Sequence, residues 1–269
     1  MSEKHKQPTV FIPHGAGPCF FMSWNPPQAW KPMEHFLRGF AHTLPQPPTA
    51  IVVVSAHWLA PVFSVTAHPN PGMIFDYYGF PAPTYELQYP APGEPALAAR
   101  VVNLLQDAGF DAQRDDQRGF DHGVFIPLLL MFPEARIPVV QLSLRHDLAP
   151  EAHLHAGRAL AALREEGVLI VGSGMSFHNM RGYGDARFTP ISEQFDTWLT
   201  AAVEAQPAEC WQALAAWEQA PMARLCHPLR AEEHLLPLMV VAGAAAFDQG
   251  KKIFSDGVLE TTLSAFRFG

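Results

Sequence analysis

The stretch TAIVVVSAH (residues 49–57) is a short run of mostly β-branched, apolar residues that ends abruptly in a histidine. A run of this length without polar alternation is typical of a strand buried on both faces, as in a parallel sheet covered by helices. PTVFIPH (8–14) has the same character and also ends in a histidine. The two stretches predict buried strands whose carboxyl ends each carry an imidazole.

Further apolar runs predict strands of the same sheet at 61–68, 137–144 and 167–174. Helical patterns are interspersed with them at 26–44, 94–109, 123–132, 150–166, 190–205, 208–218 and 231–246. Such alternation indicates an α/β fold, and α/β folds of about this length often form one domain. We therefore expect a single domain over residues 1–269, with a central, mostly parallel or mixed β-sheet flanked by helices.

The composition is that of a packed globular protein, because 48% of the residues are apolar and only 16% are charged. A net charge of −8 without any basic cluster argues against binding to nucleic acid. No run approaches the roughly 18 apolar residues of a membrane span, and the apolar stretch near the N-terminus is too short for a signal peptide. We therefore expect a cytoplasmic protein with no membrane partner.

Several other kinds of site are disfavoured. The cysteines Cys19, Cys210 and Cys226 are widely spaced and lack a CxxC pair, so neither a disulfide framework nor a thiolate zinc site is indicated. We expect them to be core or loop thiols. Ser173 lies in VGSGM, which is not the GxSxG turn of a serine hydrolase. The glycine-rich stretches also match neither a dinucleotide fingerprint nor a Walker motif.

Residues 69–93 are dense in proline, glycine and aromatic residues. This composition is too rigid for a flexible linker and too apolar for disorder, so we expect an ordered loop over a site. Its rings could line a pocket for a flat aromatic molecule. Packing of the loop onto the body of the protein explains the same residues equally well.

Histidine is the residue type that marks the candidate site. Ligands of α/β proteins collect beyond the carboxyl ends of the strands, and His14, His57 and His178 follow three predicted strands there. Imidazole is a common metal ligand, and its ordinary pKa of about 6.5 also suits it to proton transfer near neutral pH. His122 and His234 stand at the starts of two predicted helices and complete the candidate set.

A single histidine at a strand end more often satisfies a buried hydrogen bond than binds a ligand, but a set in equivalent positions is hard to explain that way. The other histidines stand in polar or irregular contexts, and we expect them to be surface or structural residues: His5, His35, His42, His68, His146, His153, His155 and His227. His153 and His155 are not four residues apart, as the two histidines of the HExxH zinc motif are, and that motif does not occur.

The candidate histidines lie within longer motifs spread along the chain. The motifs are PHGAGP (13–18), SAHW (55–58), FDYYGFP (75–81) with YPAPG (89–93), DHGVFIPL (121–128), GSGMSFHN (172–179) and EEHLLPL (232–238). In order and spacing this set resembles the class III extradiol dioxygenase superfamily, most closely its 4,5-DOPA dioxygenase branch. The resemblance runs from residue 10 to about residue 245 and is more specific than any one motif.

The resemblance implies a mononuclear Fe(II) enzyme that opens the ring of a small aromatic diol, a catechol that is DOPA-like or related, with O2. The metal ligands of the family match His14, His57 and a third residue in the EEH segment. That third residue is His234 in the DOPA-type branch and Glu233 in the protocatechuate-type branch. Two histidines and a carboxylate are the facial set of O2-activating iron, whereas three histidines leave the site one charge more positive. Zn(II) could occupy the purified protein in place of iron.

By the same resemblance, His178 is the acid–base group beside the substrate, and His122 contacts the catechol or the oxygen. His178 could also reach the metal when zinc is bound. The chain departs from the commoner HGSP motif at Ala16, where a serine hydroxyl is lost and one residue is added before Pro18. This departure bears on how the substrate is positioned rather than on how the metal is held.

Two other functions fit parts of the pattern. A three-histidine site with an open position could hold Zn(II) and acidify a bound water for hydrolysis, and relatives in the superfamily also use the fold for binding alone. The sequence leaves open which catechol is used and how many copies of the chain assemble. Arg181 and Arg230 lie near the site motifs and could anchor a substrate carboxylate, although a solvated surface position is the better explanation of each.

Overall fold

The computed structural model describes residues 6–269, which fold around one eight-stranded sheet. The strands are β1 (Thr9–Pro13), β2 (Ala50–Ala60), β3 (Phe63–Thr66), β4 (Ala112–Asp115), β5 (Val139–Arg145), β6 (Val168–Gly174), β7 (Gly250–Val258) and β8 (Thr261–Phe268). They lie side by side in the order β4-β3-β5-β2-β6-β1-β8-β7. One sheet runs through the described residues, and a single domain over residues 1–269 stays a prediction.

The α-helices flank this sheet. They are α1 (Lys31–Gly39), α2 (Pro95–Asp107), α3 (His122–Met131), α4 (Pro150–Leu160), α5 (Thr189–Glu204), α6 (Pro207–Ala215), α7 (Ala223–Cys226) and α8 (Leu236–Ala244). A proline stands at the first or second position of α1, α2, α4, α5, α6 and α8. Proline suits these positions because the first turn of a helix does not need its N–H groups and because the ring fixes a helical φ.

The centre of the sheet is parallel. β2 pairs in parallel with β5 on one side and with β6 on the other, and β6 pairs in parallel with β1. Every residue of β1 and β6 is buried, which explains why their sequences are continuous apolar runs. The predicted α/β class with a central sheet flanked by helices is confirmed. The sheet is mixed, because the pairs β3–β5, β1–β8 and β7–β8 are antiparallel.

Three observed strands are not among those predicted from the sequence. β4 is an edge strand of four residues, AQRD, and contains no apolar run. β7 and β8 form an antiparallel hairpin, and β7 mixes buried and exposed positions along GKKIFSDGV. An antiparallel strand with one solvated face carries a weaker apolar signal than a strand of the buried parallel centre.

One predicted helix begins later than expected, and the difference matters for the site. The helical pattern at 231–246 contains α8 only from Leu236 onward, and residues 233–235 form a turn. His234 therefore lies in that turn and not at the start of a helix. Elsewhere, the patterns at 26–44 and 150–166 each end in a short 3-10 helix, at Phe40–Thr43 and at Ala161–Arg164.

Helix α8 is almost entirely buried and lies directly on β6. Gly172 permits this approach, because a Cβ atom at that position would lie 2.6 Å from the carbonyl oxygen of Pro237. With α8 fixed on β6, the turn before the helix is also fixed, at the carboxyl end of the same strand. The packing of one buried helix thus decides where His234 lies.

The long loop at 69–93 is ordered, as its composition predicts. It contains only a short 3-10 helix, at Ala82–Tyr85, and its own side chains bind its main chain. The Tyr77 hydroxyl donates to Thr84 O at 2.6 Å, and the Tyr89 hydroxyl donates to Phe132 O at 3.3 Å. These bonds join the loop to itself and to the end of α3.

The residues expected to be structural fit that description where the structure describes them. The three cysteines are free and buried. His153 and His227 are buried and hydrogen-bonded to main-chain atoms. His5 lies outside the described residues, and the remaining five are exposed: His35, His42, His68, His146 and His155. Within residues 6–269, no helix has both the length and the apolar character needed to cross a membrane.

We expect His153→Leu to lower the free energy of unfolding at about pH 7.5, and to do so less at lower pH. His153 Nε2 accepts a hydrogen bond from Arg145 N at 3.1 Å, and its Nδ1 donates to Ala149 O at 2.7 Å. Loss of the acceptor leaves a buried N–H unpaired, at a cost of about 1–3 kcal/mol. Burial lowers the pKa of His153 to about 4, whereas the unfolded chain binds the proton near pH 6.5. The wild type therefore loses stability from about pH 6.5 to about pH 4, and the leucine variant lacks this loss.

Urea unfolding across this pH range measures the effect. His155→Leu is the matched control, because His155 is exposed on the same helix and its replacement should change stability by less than about 0.5 kcal/mol. If the difference in the free energy of unfolding between the wild type and His153→Leu stays constant down to pH 4, the imidazole at this position is not buried and neutral.

Candidate active site

Five histidine side chains meet at the carboxyl end of the parallel strands. His14 directly follows β1, His178 follows β6, and His234 lies in the turn before α8. His122 is the first residue of α3, and His57 lies near the end of β2. All five line one cavity. The histidines that the sequence singled out are thus brought together by the fold.

β2 does not stop at His57, as the sequence predicted, but continues to Ala60. Its register with β5 shifts between Val54 and Leu59. Such an irregularity bends a strand and redirects a side chain. His57 lies within this irregular segment, and its Nε2 atom is 3.0 Å from Nε2 of His14.

The rings of His14, His57 and His234 form a nearly equilateral triangle. The ring centroids are 4.8 Å apart for His14 and His57, 5.2 Å for His14 and His234, and 4.9 Å for His57 and His234. His122 lies beside the triangle, with its centroid 3.8 Å from that of His57. His178 stacks on His234, with 3.3 Å between centroids and 15° between ring planes. The five imidazoles therefore surround a common space.

Hydrogen bonds behind the triangle assign the tautomers of two of its members. His14 Nδ1 lies 3.1 Å from the Ser173 hydroxyl, which donates its own proton to Gly123 O. The hydroxyl can therefore only accept from His14, which leaves the lone pair of that ring on Nε2. His234 Nδ1 lies 2.9 Å from Oε1 of Glu233, so the carboxylate likewise leaves the lone pair of His234 on Nε2.

Asp76, which the sequence analysis does not single out, holds His122 in place. Its Oδ1 accepts from the main-chain N of His122 at 2.9 Å and from Nδ1 at 2.8 Å, while its Oδ2 lies 3.7 Å from Nδ1 of His57. Burial alone would raise the pKa of this carboxyl, but the hydrogen bonds and charge of His122 hold it below its usual value. The one signal in the sequence is an acidic residue among the aromatic residues of FDYYGFP.

A fully buried carboxylate, that of Asp121, supports the main chain next to His57. Asp121 immediately precedes α3 and accepts from the Ser55 hydroxyl at 2.7 Å and from Arg118 Nη2 at 3.1 Å. The same Ser55 hydroxyl accepts from the main-chain N of His57 at 3.2 Å. Burial and the charge of Asp76 raise the pKa of Asp121, so these partners are what stabilise its ionised form.

Burial keeps the site imidazoles neutral. The pKa values of His14, His57 and His234 lie well below the usual value, first because of burial and then because of repulsion among neighbouring imidazoles. Burial and the nearby His122 lower the pKa of His178 to about 4. At neutral pH these four rings are uncharged, so each has a lone pair available to a metal ion or a proton.

Two groups of side chains could each hold a metal ion: His14 with His57 and His122, and His178 with Glu233 and His234. Within each group the ligand atoms lie within 4.8 Å of one another. The 3.0 Å between the Nε2 atoms of His14 and His57 matches two nitrogens held about 2.1 Å from one ion at about a right angle. Imidazole donors whose second nitrogen binds a hydroxyl or carboxylate fit a divalent transition metal.

The histidines form part of the wall of a cavity of about 320 Å³. This volume lies within the usual range for a small-molecule site. The rest of the wall is mainly apolar and consists of Gly15, Ala16, Gly17, Trp24, Trp30, Phe80, Met175, Met180, Tyr183 and Leu259. Aromatic and thioether groups of this kind suit a small, flat aromatic guest.

The loop at 69–93 has both of the roles that its sequence allowed. Phe80 lines the cavity, whereas Tyr77 and Tyr89 are buried and fix the loop to the protein. Arg181 and Arg230, the candidate carboxylate anchors, are exposed and do not line the cavity. The structure therefore supports the solvated surface position for both arginines.

Known proteins similar to this chain are ring-opening dioxygenases. Residues 8–266 match the family described as "Catalytic LigB subunit of aromatic ring-opening dioxygenase". The 4,5-DOPA dioxygenase extradiol of Beta vulgaris is 39% identical over 91% of this chain and 89% of that protein. Its namesake from Escherichia coli (strain K12) is 37% identical over 89% and 85%. The dioxygenase tasH of Hapsidospora irregularis is 37% identical over 97% and 85%.

A solved structure supports the same relationship. The crystal structure of the uncharacterized protein JW3007 from Escherichia coli K12 matches with a TM-score of 0.79 at 31% sequence identity. The match covers 98% of this chain and 100% of that chain. The resemblance inferred from the motifs is confirmed.

We expect Ser173→Ala to weaken the binding of Zn(II) to the metal-free protein by about 10–100-fold, because His14 loses the acceptor that keeps its proton on Nδ1. Isothermal titration calorimetry at about pH 7.5 measures the affinity. Ser143→Ala is the control: Ser143 is equally buried, and its hydroxyl accepts from Ser64 N outside the cavity wall. That variant should stay within about twofold of the wild type. Unchanged affinity in Ser173→Ala would show that this hydroxyl does not orient a ligand.

Proposed function

The chain belongs to the family of catalytic LigB subunits of aromatic ring-opening dioxygenases, and on that basis we propose that it is an Fe(II)-dependent enzyme that opens the ring of a catechol with O2. The observation that carries the proposal is the triangle of three neutral imidazoles, two buried and one half-buried, beside an apolar cavity. The names of the relatives, 4,5-DOPA dioxygenase extradiol, support a catechol as the substrate.

His14, His57 and His234 are the proposed metal ligands. Their near-equal spacing supports this set. Glu233 is the alternative third ligand, but its Oε1 is the acceptor for Nδ1 of His234, and a carboxylate in that position orients a ligand. His122 lies beside the triangle and is held by Asp76.

A ferrous ion would supply the redox route between a closed-shell catechol and triplet O2, which do not react directly. Zn(II) can bind nitrogen donors of the same kind but has no redox chemistry, so zinc in the purified protein would give an inactive form. The protein's own part is to hold the diol against the histidines and to keep water away from it with the apolar wall.

His178 is the proposed acid–base group. It lines the cavity, and its Nδ1 atom is buried without a hydrogen-bond partner in the described structure. Burial lowers its pKa to about 4, so the ring is neutral at neutral pH and has a lone pair for the proton of a catechol hydroxyl that a metal ion would acidify. The same proton can return to the reacting atoms later in the cycle. His122, fixed by Asp76, is proposed to contact the catechol or the oxygen.

A cytoplasmic location and the absence of a nucleic-acid partner stay predictions from the sequence. Use of the fold for binding alone is disfavoured by the names of the relatives, which are those of enzymes.

Metal loading distinguishes ring cleavage from hydrolysis. We expect protein reconstituted with Fe(II) in the absence of oxygen to consume O2 and catechol in equal amounts once both are supplied, with the colour of a ring-opened semialdehyde. The Zn(II)-loaded protein should consume none. An oxygen electrode and a visible spectrophotometer follow the two signals. Hydrolysis of esters or amides by the zinc form, together with no oxygen uptake by the iron form on any catechol, would contradict the proposal.

Variants of neighbouring residues separate ligand from acid–base roles. We expect His178→Asn to lower kcat by about 10²–10⁴-fold while the protein keeps its iron. We expect His234→Ala to lose the iron, and Glu233→Gln to keep it because the amide oxygen can still accept from His234 Nδ1. Iron content is measured colorimetrically and kcat by oxygen uptake.

His35→Ala is the control for these variants, because His35 is exposed on α1 and should affect neither iron content nor kcat. Loss of iron from Glu233→Gln with retention in His234→Ala would make Glu233 the third ligand. Loss of iron from His178→Asn would place His178 on the metal.

A further inference from the structure

The part of the cavity wall that is not histidine carries no ionisable acid or base apart from one tyrosine. Among the described residues, no lysine, arginine, aspartate or glutamate lines the cavity. The Tyr183 hydroxyl already donates to Phe177 O at 2.9 Å. Trp30 Nε1 is buried without a partner, but one neutral N–H does not replace the counter-ion that a buried carboxylate needs. A guest larger than the diol would meet apolar surface.

The acids that contact the site histidines are already hydrogen-bonded to them. Asp76 accepts from His122 and Glu233 accepts from His234. Arg118, whose charge acts on His57, is paired with the buried Asp121 at 3.1 Å. A carboxylate on the substrate would therefore meet no free cation at the wall and would lie near two acids.

The apolar wall runs from solvent to the histidines. Met180 is 71% exposed, and Met175 is 2% exposed, with its main-chain N donating to His234 O at 2.9 Å. Phe80 and Leu259 belong to the same wall. Methionine side chains adapt to guests of different shape, so such a wall can accommodate an alkyl chain without a fixed hydrogen-bonding pattern.

From this wall we infer that the catechol used by the protein carries an uncharged, apolar substituent, which lies along Met175 and Met180 while the diol faces the histidines. The inference rests on the proposed function and narrows it. An amino-acid side chain, as in DOPA, would place a carboxylate and an ammonium group against an apolar wall whose lining offers neither of them a charged partner.

A panel of catechols that differ in the charge of the substituent tests the inference. The panel contains catechol itself, 4-propylcatechol, dopamine, 3-(3,4-dihydroxyphenyl)propanoate and L-DOPA. Oxygen uptake by the Fe(II)-reconstituted full chain gives kcat/KM, and calorimetry on the Zn(II)-loaded chain, which does not turn over, gives Kd. We expect kcat/KM to be at least about tenfold higher, and Kd at least about tenfold lower, for 4-propylcatechol than for the propanoate of similar length.

The outcomes distinguish failure of the apolar-substituent inference from failure of the proposed ring-cleavage function. Cleavage of catechol with equal or better kcat/KM for the propanoate or for L-DOPA would overturn the apolar-substituent inference and leave the proposed function in place. No cleavage of any member, catechol included, would overturn the proposed function and the inference together.

A charged side chain introduced on the apolar wall tests whether the substituent of the catechol lies along that wall. We expect Met180→Arg to raise the ratio of kcat/KM for the propanoate to kcat/KM for 4-propylcatechol by about tenfold, because the guanidinium can pair with the carboxylate. Leu229→Arg is the matched control, since Leu229 is also 71% exposed but does not line the cavity. That variant should leave the ratio within about twofold of the wild type. An unchanged ratio in Met180→Arg, with wild-type thermal stability and iron content, would show that the substituent does not lie along this wall.

Discussion

The main chain of Gly174 is the contact on which the site depends. His14 N donates to Gly174 O at 3.2 Å, and a Cβ atom on Gly174 would lie only 2.1 Å from the carbonyl oxygen of His234. The next residue, Met175, donates its N–H to that same oxygen at 2.9 Å. One glycine at the end of β6 thus joins the first strand to the turn before α8. Two of the three imidazoles of the triangle are therefore positioned through the backbone, which holds them more rigidly than long, exposed side chains could.

Electrostatics explains why each of these rings is supported from behind. A buried imidazole needs a partner for its N–H, and Ser173, Glu233 and Asp76 provide one for His14, His234 and His122 respectively. The inward nitrogens are left without such partners, and those of His14 and His57 lie only 3.0 Å apart. Two neutral nitrogens at such a short distance are stabilised by a shared proton or by a metal ion. The arrangement that supports the rings therefore also prepares them to bind a proton or a metal ion.

The sequence predicted the parallel centre and the histidines at its strand ends for one reason. Strands buried on both faces read as continuous apolar runs, and a histidine that interrupts such a run is conspicuous. Other features leave no comparable trace. Asp76 is a single acid in an irregular loop with no period to reveal it, and β7 mixes exposed and buried positions. The pattern around His234 reads as helical, because only the packing of α8 on β6 decides where the helix begins. The stack of His178 on His234 joins two connecting segments whose approach no local pattern specifies.

Under the proposed ligand set, charge balance links the metal centre to the apolar wall. Three neutral imidazoles would leave the full charge of a dipositive ion in the site, and a deprotonated catechol would bring negative charge to offset it. Opposite charges that offset each other are what a water-poor cavity favours. Glu233, occupied by His234 Nδ1, adds no ligand charge that would upset this balance. A charged substituent on the ring would restore an uncompensated charge, which is why a three-histidine centre and an apolar wall form a consistent pair in one cavity.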